Sequence, residues 1–337
     1  MKILLASSEV HPFSKTGGLA DMVVALGKSL AAAGHRVGIV TPLYRGIRKK
    51  FPTIKSTYFR LDLPLGHLGA QGELLHYEMA PNLTIYFVDQ PGFYDRASLY
   101  GEGGSDYPDN AARFVYLSKC VVQIAKHFPV WKPDLVHIHD WQVGTVPLLI
   151  RDQAWHGLWR NAPAVVLTIH NLAYQGGFAR DEFGLLNLPW HYFHPGGVEF
   201  FGGFNMLKTA IVYSDMLTTV SPRYAQEITT EAYGCGLEGI LRARGGKIVF
   251  VRFPMGGDLK TFEDQTTPRG PTWDRLLKET AAPGVYFEDF PELASFTCPE
   301  WSHLSAGDSV EFTKRLVPHL RDALAISDAA RTVASMH

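Results

Sequence analysis

With 337 residues, 46% of them hydrophobic and 19% charged, the chain can build two domains and has the balance of a folded protein, not a disordered one. A net charge of -1 gives no electrostatic reason to expect nucleic acid or an anionic membrane as partner. No apolar run reaches about 18 residues, so no spanning helix is expected, and a cytoplasmic location follows.

The chain opens as strand, glycine loop, helix, strand. Ile3 to Ala6 read as a buried strand and Gly17-Gly18 close the loop after it. The next helix is expected to carry Leu19, Met22, Leu26 and Leu30 on its buried stripe and to end at Gly34, before a strand at Val37 to Thr41. A helix with Phe114, Leu117, Val121 and Ile124 on one face precedes the strand from Asp134 to Asp140. Val165 to Ile169, Met216 to Val220 and Ile248 to Phe253 are further apolar strands. Strands alternating with helices predict an α/β fold with a Rossmann-like, doubly wound parallel sheet. The polar segment Thr261 to Trp273, rich in Pro, Gly and Thr, reads as a long connection where the architecture changes.

Several strand ends carry residues that suit chemistry. Lys15-Thr16-Gly17-Gly18-Leu19-Ala20-Asp21 lies between the first strand and first helix, where an open α/β sheet presents free N–H groups to ligands. Two glycines would let a phosphate approach and Lys15 would add charge, although the same residues also suit a tight turn. The spacing is neither G-x-G-x-x-G nor a Walker loop, so neither a nicotinamide nor an NTPase site is indicated. His137-Ile138-His139-Asp140-Trp141 puts two histidines on one strand face. With no third ligand at suitable spacing they read as structural, and no metal is expected. Asp140 and Trp141 suit either sugar binding or an N-cap followed by a packed ring. His170-Asn171 ends another strand, and Phe93-Tyr94-Asp95-Arg96 with Tyr107 to Asn110 flank a glycine-rich loop. Cys120, Cys235 and Cys298 are scattered and read as reduced thiols.

These motifs, in this order, resemble the ADP-glucose-using glycogen and starch synthases of bacteria, glycosyltransferase family 5. The resemblance rests on Ser8-Glu9-Val10 leading into Lys15 to Asp21, on His139-Asp140-Trp141, on Thr168 to Gly176, on Ala210 to Pro222 and on Tyr233 to Gly239. It covers residues 1–246 and implies the N-terminal, acceptor-side half of a GT-B fold. It further implies retaining transfer of glucose from ADP-glucose to the non-reducing end of an α-1,4-glucan, with no cofactor. Lys15, Gly17 and Gly18 would meet the donor diphosphate and transferred glucose. His170 would stand beside that glucose, Lys15 and His170 being the catalytic pair. Asp21, Tyr94, Asp140 and Trp141 would serve the acceptor.

Residues 247–337 carry none of the family's second-domain motifs and are expected to be a foreign, short α/β tail. On that expectation ADP-glucose binding is weak or absent and turnover doubtful. The tail resembles the end of an SGNH-type esterase, with Glu300 and His303 at the positions of its acid and base. Two other functions therefore stand beside the transferase: a non-catalytic module that binds α-glucan or maltooligosaccharides, and an esterase fragment.

Overall fold

The computed structural model describes residues 1–244, 250–280, 283–298, 304–305, 308, 311–320 and 322–323. Ile248, Val249, Glu300 and His303 lie outside them, so the proposed tail acid and base have no described position. The chain forms two compact units, one of residues 1–218 with 228–244, the other of 219–227 with 245–337.

The first unit is built on an eight-stranded sheet. Its strands are β1 (Lys2–Ala6), β2 (Arg36–Pro42), β3 (Lys55–Arg60), β4 (Glu73–Ala80), β5 (Leu83–Asp89), β6 (Leu135–His139), β7 (Ala164–Ile169) and β8 (Met216–Thr219). Their order across the sheet is β8-β7-β6-β1-β2-β5-β4-β3. β1 pairs in parallel with β2 on one side and β6 on the other, and β6–β7 and β2–β5 are also parallel. β4 and β3 extend this core as an antiparallel edge, absent from the expected all-parallel sheet. Strands 73–80 and 83–89 join through only Pro81 and Asn82, and only antiparallel pairing suits so short a link.

The chain first moves from β1 toward β2, and later from β1's other side outward through β6, β7 and β8. That reversal places a topological switch point between β1 and β6, the position at which open α/β sheets bind their ligands.

α1 (Gly18–Ala32) joins β1 to β2 and ends at Gly34, whose φ of 87° supplies the left-handed residue that stops it. Its buried face is Ala20, Val23, Val24, Gly27 and Ala31, so the expected Leu19, Met22, Leu26, Leu30 stripe is displaced to the flanks. Close packing is the reason. A Cβ on Gly27 would stand 2.9 Å from Ile39 Cδ1 and 3.3 Å from Leu83 Cδ1. α2 (Asn110–His127) buries Phe114, Leu117, Val121 and Ile124 completely, as its periodicity predicts. No described helix is long and apolar enough to cross a membrane.

The second unit pairs Phe250–Arg252 in parallel with Gly284–Tyr286. Phe250, Trp273, Leu276, Val285, Leu293 and Phe312 form its core. The segment read as a long connection is instead largely helical, with helix Gly257–Thr266 followed by a π-helical turn at Gly270–Asp274. That helix buries none of its residues and is held by a Lys260–Asp264 pair one turn apart. Without an apolar stripe it leaves no periodic signal in the sequence.

Candidate functional site

β1, β6 and β7 end side by side, and each delivers polar residues to the loops that follow. After β1 the chain runs through Glu9 to Gly18. Glu9 is only 3% exposed, yet its carboxylate is fully satisfied. Thr16 donates its backbone N–H and its hydroxyl, both at 2.5 Å, and the Tyr100 hydroxyl donates at 2.6 Å. Ser8 in turn donates to the Tyr100 oxygen at 2.7 Å. Glu9 and Tyr100 therefore lock the loop carrying Lys15, Gly17 and Gly18. Sequence reasoning gave Glu9 no role, although it lies within the family motif. Nothing in its spacing shows that it turns back on Thr16.

Gly17 takes φ -149°, an extended conformation open to any residue, and a Cβ at Gly17 or Gly18 would meet no described atom within 4 Å. The fold itself therefore does not demand glycine at either position. What the two glycines leave is open space above the free N–H groups of the 15-residue α1. Lys15 Nζ lies 2.5 Å from Asp21 in the first turn of that helix, with both side chains about half exposed.

β6 and β7 bring the histidines together. His137 and His139 stack with ring centroids 4.4 Å apart, and His139 Nδ1 lies 3.2 Å from His170 Nε2. His137 Nε2 lies 2.7 Å from Thr168 Oγ1. Burial disfavours the imidazolium, so His137 and His170 are pushed down to about 4 and His139 well below the usual imidazole range. All three are neutral near pH 7. Among the described residues, no group of three His, Cys, Asp or Glu side chains is placed to hold a metal.

Asp140 joins β6 to β7. It sits at φ 59°, a strained conformation for a non-glycine residue, and its carboxylate accepts the His170 backbone N–H at 2.7 Å. It makes no side-chain cap on the short helix Trp141–Val143 that follows it. Burial pushes its carboxyl up to about 7, against the lowering effect of backbone N–H groups from His170 and Asn171. Asp140 thus holds the turn that carries His170.

Two residues expected at the acceptor do not present a face to solvent. Tyr94 is fully buried and its hydroxyl donates to the Arg113 carbonyl at 2.8 Å. Trp141 is 9% exposed, packed edge-on to Phe114 at 5.0 Å and lying against the backbone of Gly176. A Cβ on Gly176 would come within 2.2 Å of the indole, which explains why glycine stands there. Both aromatics support the strand-end loops from behind. Tyr174, in the loop after β7, is by contrast 67% exposed. The flanking segments serve the same scaffold, with Arg96 gripping Asp109 through both carboxylate oxygens.

A cavity of about 810 Å³ lies wholly in the second unit. Its Arg223, Arg252 and Arg269 are engaged by Glu227, Glu263 and Asp289, respectively. It is a separate feature from the strand-end cluster.

An open α/β sheet with a glycine loop at a helix N-terminus, on a topological switch point, is the arrangement of the doubly wound α/β proteins, which as a class bind ligands at the strand ends. Residues 2–243 match the family model of the starch synthase catalytic domain, and the chain belongs to that family. Glycogen synthase of Koribacter versatilis is 44% identical over 256 residues, covering 74% of this chain and 51% of that protein. Glycogen synthase of Opitutus terrae is 37% identical over 269 residues, covering 80% and 55%. The catalytic domain of starch synthase IV from Arabidopsis thaliana, solved with ADP and acarbose, superposes with a TM-score of 0.63 at 28% identity, covering 72% of this chain and 49% of that one. The chain spans about half the length of the curated relatives it matches.

Proposed function

We propose that the first unit is the acceptor-side wall of a glucosyltransferase that moves glucose from ADP-glucose to the non-reducing end of an α-1,4-glucan with retention. The observation that carries this reading is the open glycine pair over the N-terminus of α1, with Lys15 beside it and His170 at the end of β7, two strands across on the same sheet edge. A diphosphate placed there would accept helix N–H groups and draw Lys15 from Asp21. Negative charge growing on the departing diphosphate would then face a cation and aligned dipoles. The names of the glycogen synthase relatives, and the ADP and acarbose in the Arabidopsis structure, support the same substrates. A cytoplasmic setting belongs to the proposal, since Cys120, Cys235 and Cys298 are all free thiols.

Titration of the chain with ADP-glucose and with maltoheptaose tests it. ADP-glucose binding no tighter than about millimolar, roughly 4 kcal/mol, is expected from the contacts that residues 2–243 offer by themselves. Lys15→Ala should abolish that binding. Incorporation of labelled glucose into glucan should fall about 10²–10³-fold in Lys15→Ala if the intact chain turns over. ADP-glucose binding that survives Lys15→Ala unchanged would remove the reading. Exposed Tyr174 favours a second one, glucan binding without turnover, in which maltoheptaose binds and Tyr174→Ala weakens it.

A further inference from the structure

One set of donors keeps every hydrogen bond beneath the strand ends. Thr218 has a single hydroxyl proton and gives it to the Leu167 carbonyl at 3.2 Å, which can only accept. In that set Thr218 Oγ1 accepts from Thr168, 2.7 Å away. Thr168 spends its proton on Thr218, so its oxygen accepts from His137 Nε2, and His137 is the Nε2–H tautomer.

The second pair is decided by burial. His139 is fully buried, and its Nε2 has no hydrogen-bond partner among the described residues. A buried N–H without an acceptor is rarer and costlier than a bare nitrogen lone pair in the same place. The His139 proton therefore sits on Nδ1 and is donated to His170 Nε2. His170, neutral, must then carry its own proton on Nδ1.

We propose that His139 is a positioning residue that fixes His170 as an Nδ1–H donor, so that the ring offers a hydrogen bond to an oxygen of the bound sugar and has no free base nitrogen. Asp140 sets the backbone of His170 and His139 sets its ring, so two consecutive residues of β6 and its end define one side chain at the end of the adjacent strand β7. Neutrality follows from burial of the cluster, which holds His170 down to about 4. For the identity of the sugar, the inference rests on the glucosyltransferase reading above; for the tautomer it does not.

Two-bond ¹H–¹⁵N correlation spectra of the full chain, labelled at histidine, read the tautomers directly and need no variant. The expected result is a protonated Nδ1 and bare Nε2 on both His139 and His170, with the reverse on His137. A protonated Nε2 on His170 overturns the proposal. His139→Asn keeps an amide donor near the Nδ1 position and should preserve the His170 pattern. His139→Phe keeps a ring without a donor, and should spread His170 over both tautomers and weaken ADP-glucose binding about tenfold, one hydrogen bond's worth. An unchanged His170 pattern in His139→Phe also overturns it. If the tautomers behave as expected while wild-type chain binds no ADP-glucose, the positioning role stands and the glucosyltransferase reading falls.

Discussion

The two units bury different things. In the first, polar side chains lie beneath the sheet's strand ends. Glu9, His139, Asp140 and Thr168 are all under a tenth exposed, and they are tied to backbone groups or to each other. In the second, the described core is aromatic and aliphatic, and its ion pairs, such as Arg269 with Asp289, lie where both partners are about two-fifths exposed. Burying polar groups is costly unless each finds a partner, so a unit that does so at one place and ties them to one another holds that place rigidly. Exposed ion pairs add little rigidity. That rigidity suits the proposed site at the strand ends of the first unit.

Acid should separate the units most. The first unit's histidines have folded values below the ordinary 6.5, two of them near 4, so the unfolded chain takes up protons first as pH falls. Stability is therefore lost between about pH 6.5 and 4. Asp140 acts oppositely: its folded value near 7 lies above the ordinary 3.8, so its burial penalty eases over the same range. Three histidines against one carboxyl leave a net loss. In the second unit Glu292 is held below the usual range by its own backbone N–H and by His319, and Glu311 by Arg315. Their contribution is lost only below about pH 4.5. Hydrogen exchange against pH should show β6 and β7 opening before Phe250–Arg252, and the reverse order would break the comparison.

Phe312→Ala should cost the second unit about 3–5 kcal/mol, since the ring is fully buried against Phe253 and Phe296. Loss of exchange protection in Phe250–Arg252 and Gly284–Tyr286 is the readout. A smaller change comes from Glu9→Gln, which removes the charge that gathers Thr16 and Tyr100. It should cost about 1–3 kcal/mol and loosen the Lys15 loop, visible as line broadening at Thr16 and Gly17. No change there would mean that the loop is held by other contacts. Smallest of all, Arg269→Ala should cost under about 1 kcal/mol despite its two short contacts to Asp289, because the pair is exposed. A loss of several kcal/mol would show that the surface pairs of the second unit are not the weak elements the comparison makes them.

Much of the first unit is legible in its residues. Apolar runs at Ile3–Ala6 and Val165–Ile169 announce parallel strands, because a strand covered on both faces needs no polar alternation. Gly34 announces the end of α1, since only a left-handed residue stops a helix there cheaply. Lys15, Gly17, Asp140 and His170 can be marked as candidates because each follows such a strand. The polar helix Gly257–Thr266 could not be read, as periodicity reports burial and this helix buries nothing.

What the residues could not reveal is direction and depth. Tyr94 and Trp141 are the aromatic types that stack on sugars, yet packing of Trp141 against Phe114 and a bond from Tyr94 to the Arg113 carbonyl place them inside. That the valines and alanines of α1, and not its leucines, face the sheet was decided by how closely Gly27 lets the helix approach. The return of Glu9 to Thr16, and the path from His139 to His170, join residues 7 and 31 positions apart. Sequence determined which chemical groups stand at the strand ends, because strand and turn preferences are local. Only the sheet order, set by packing of the whole unit, decided which of those groups touch and which of them face outward.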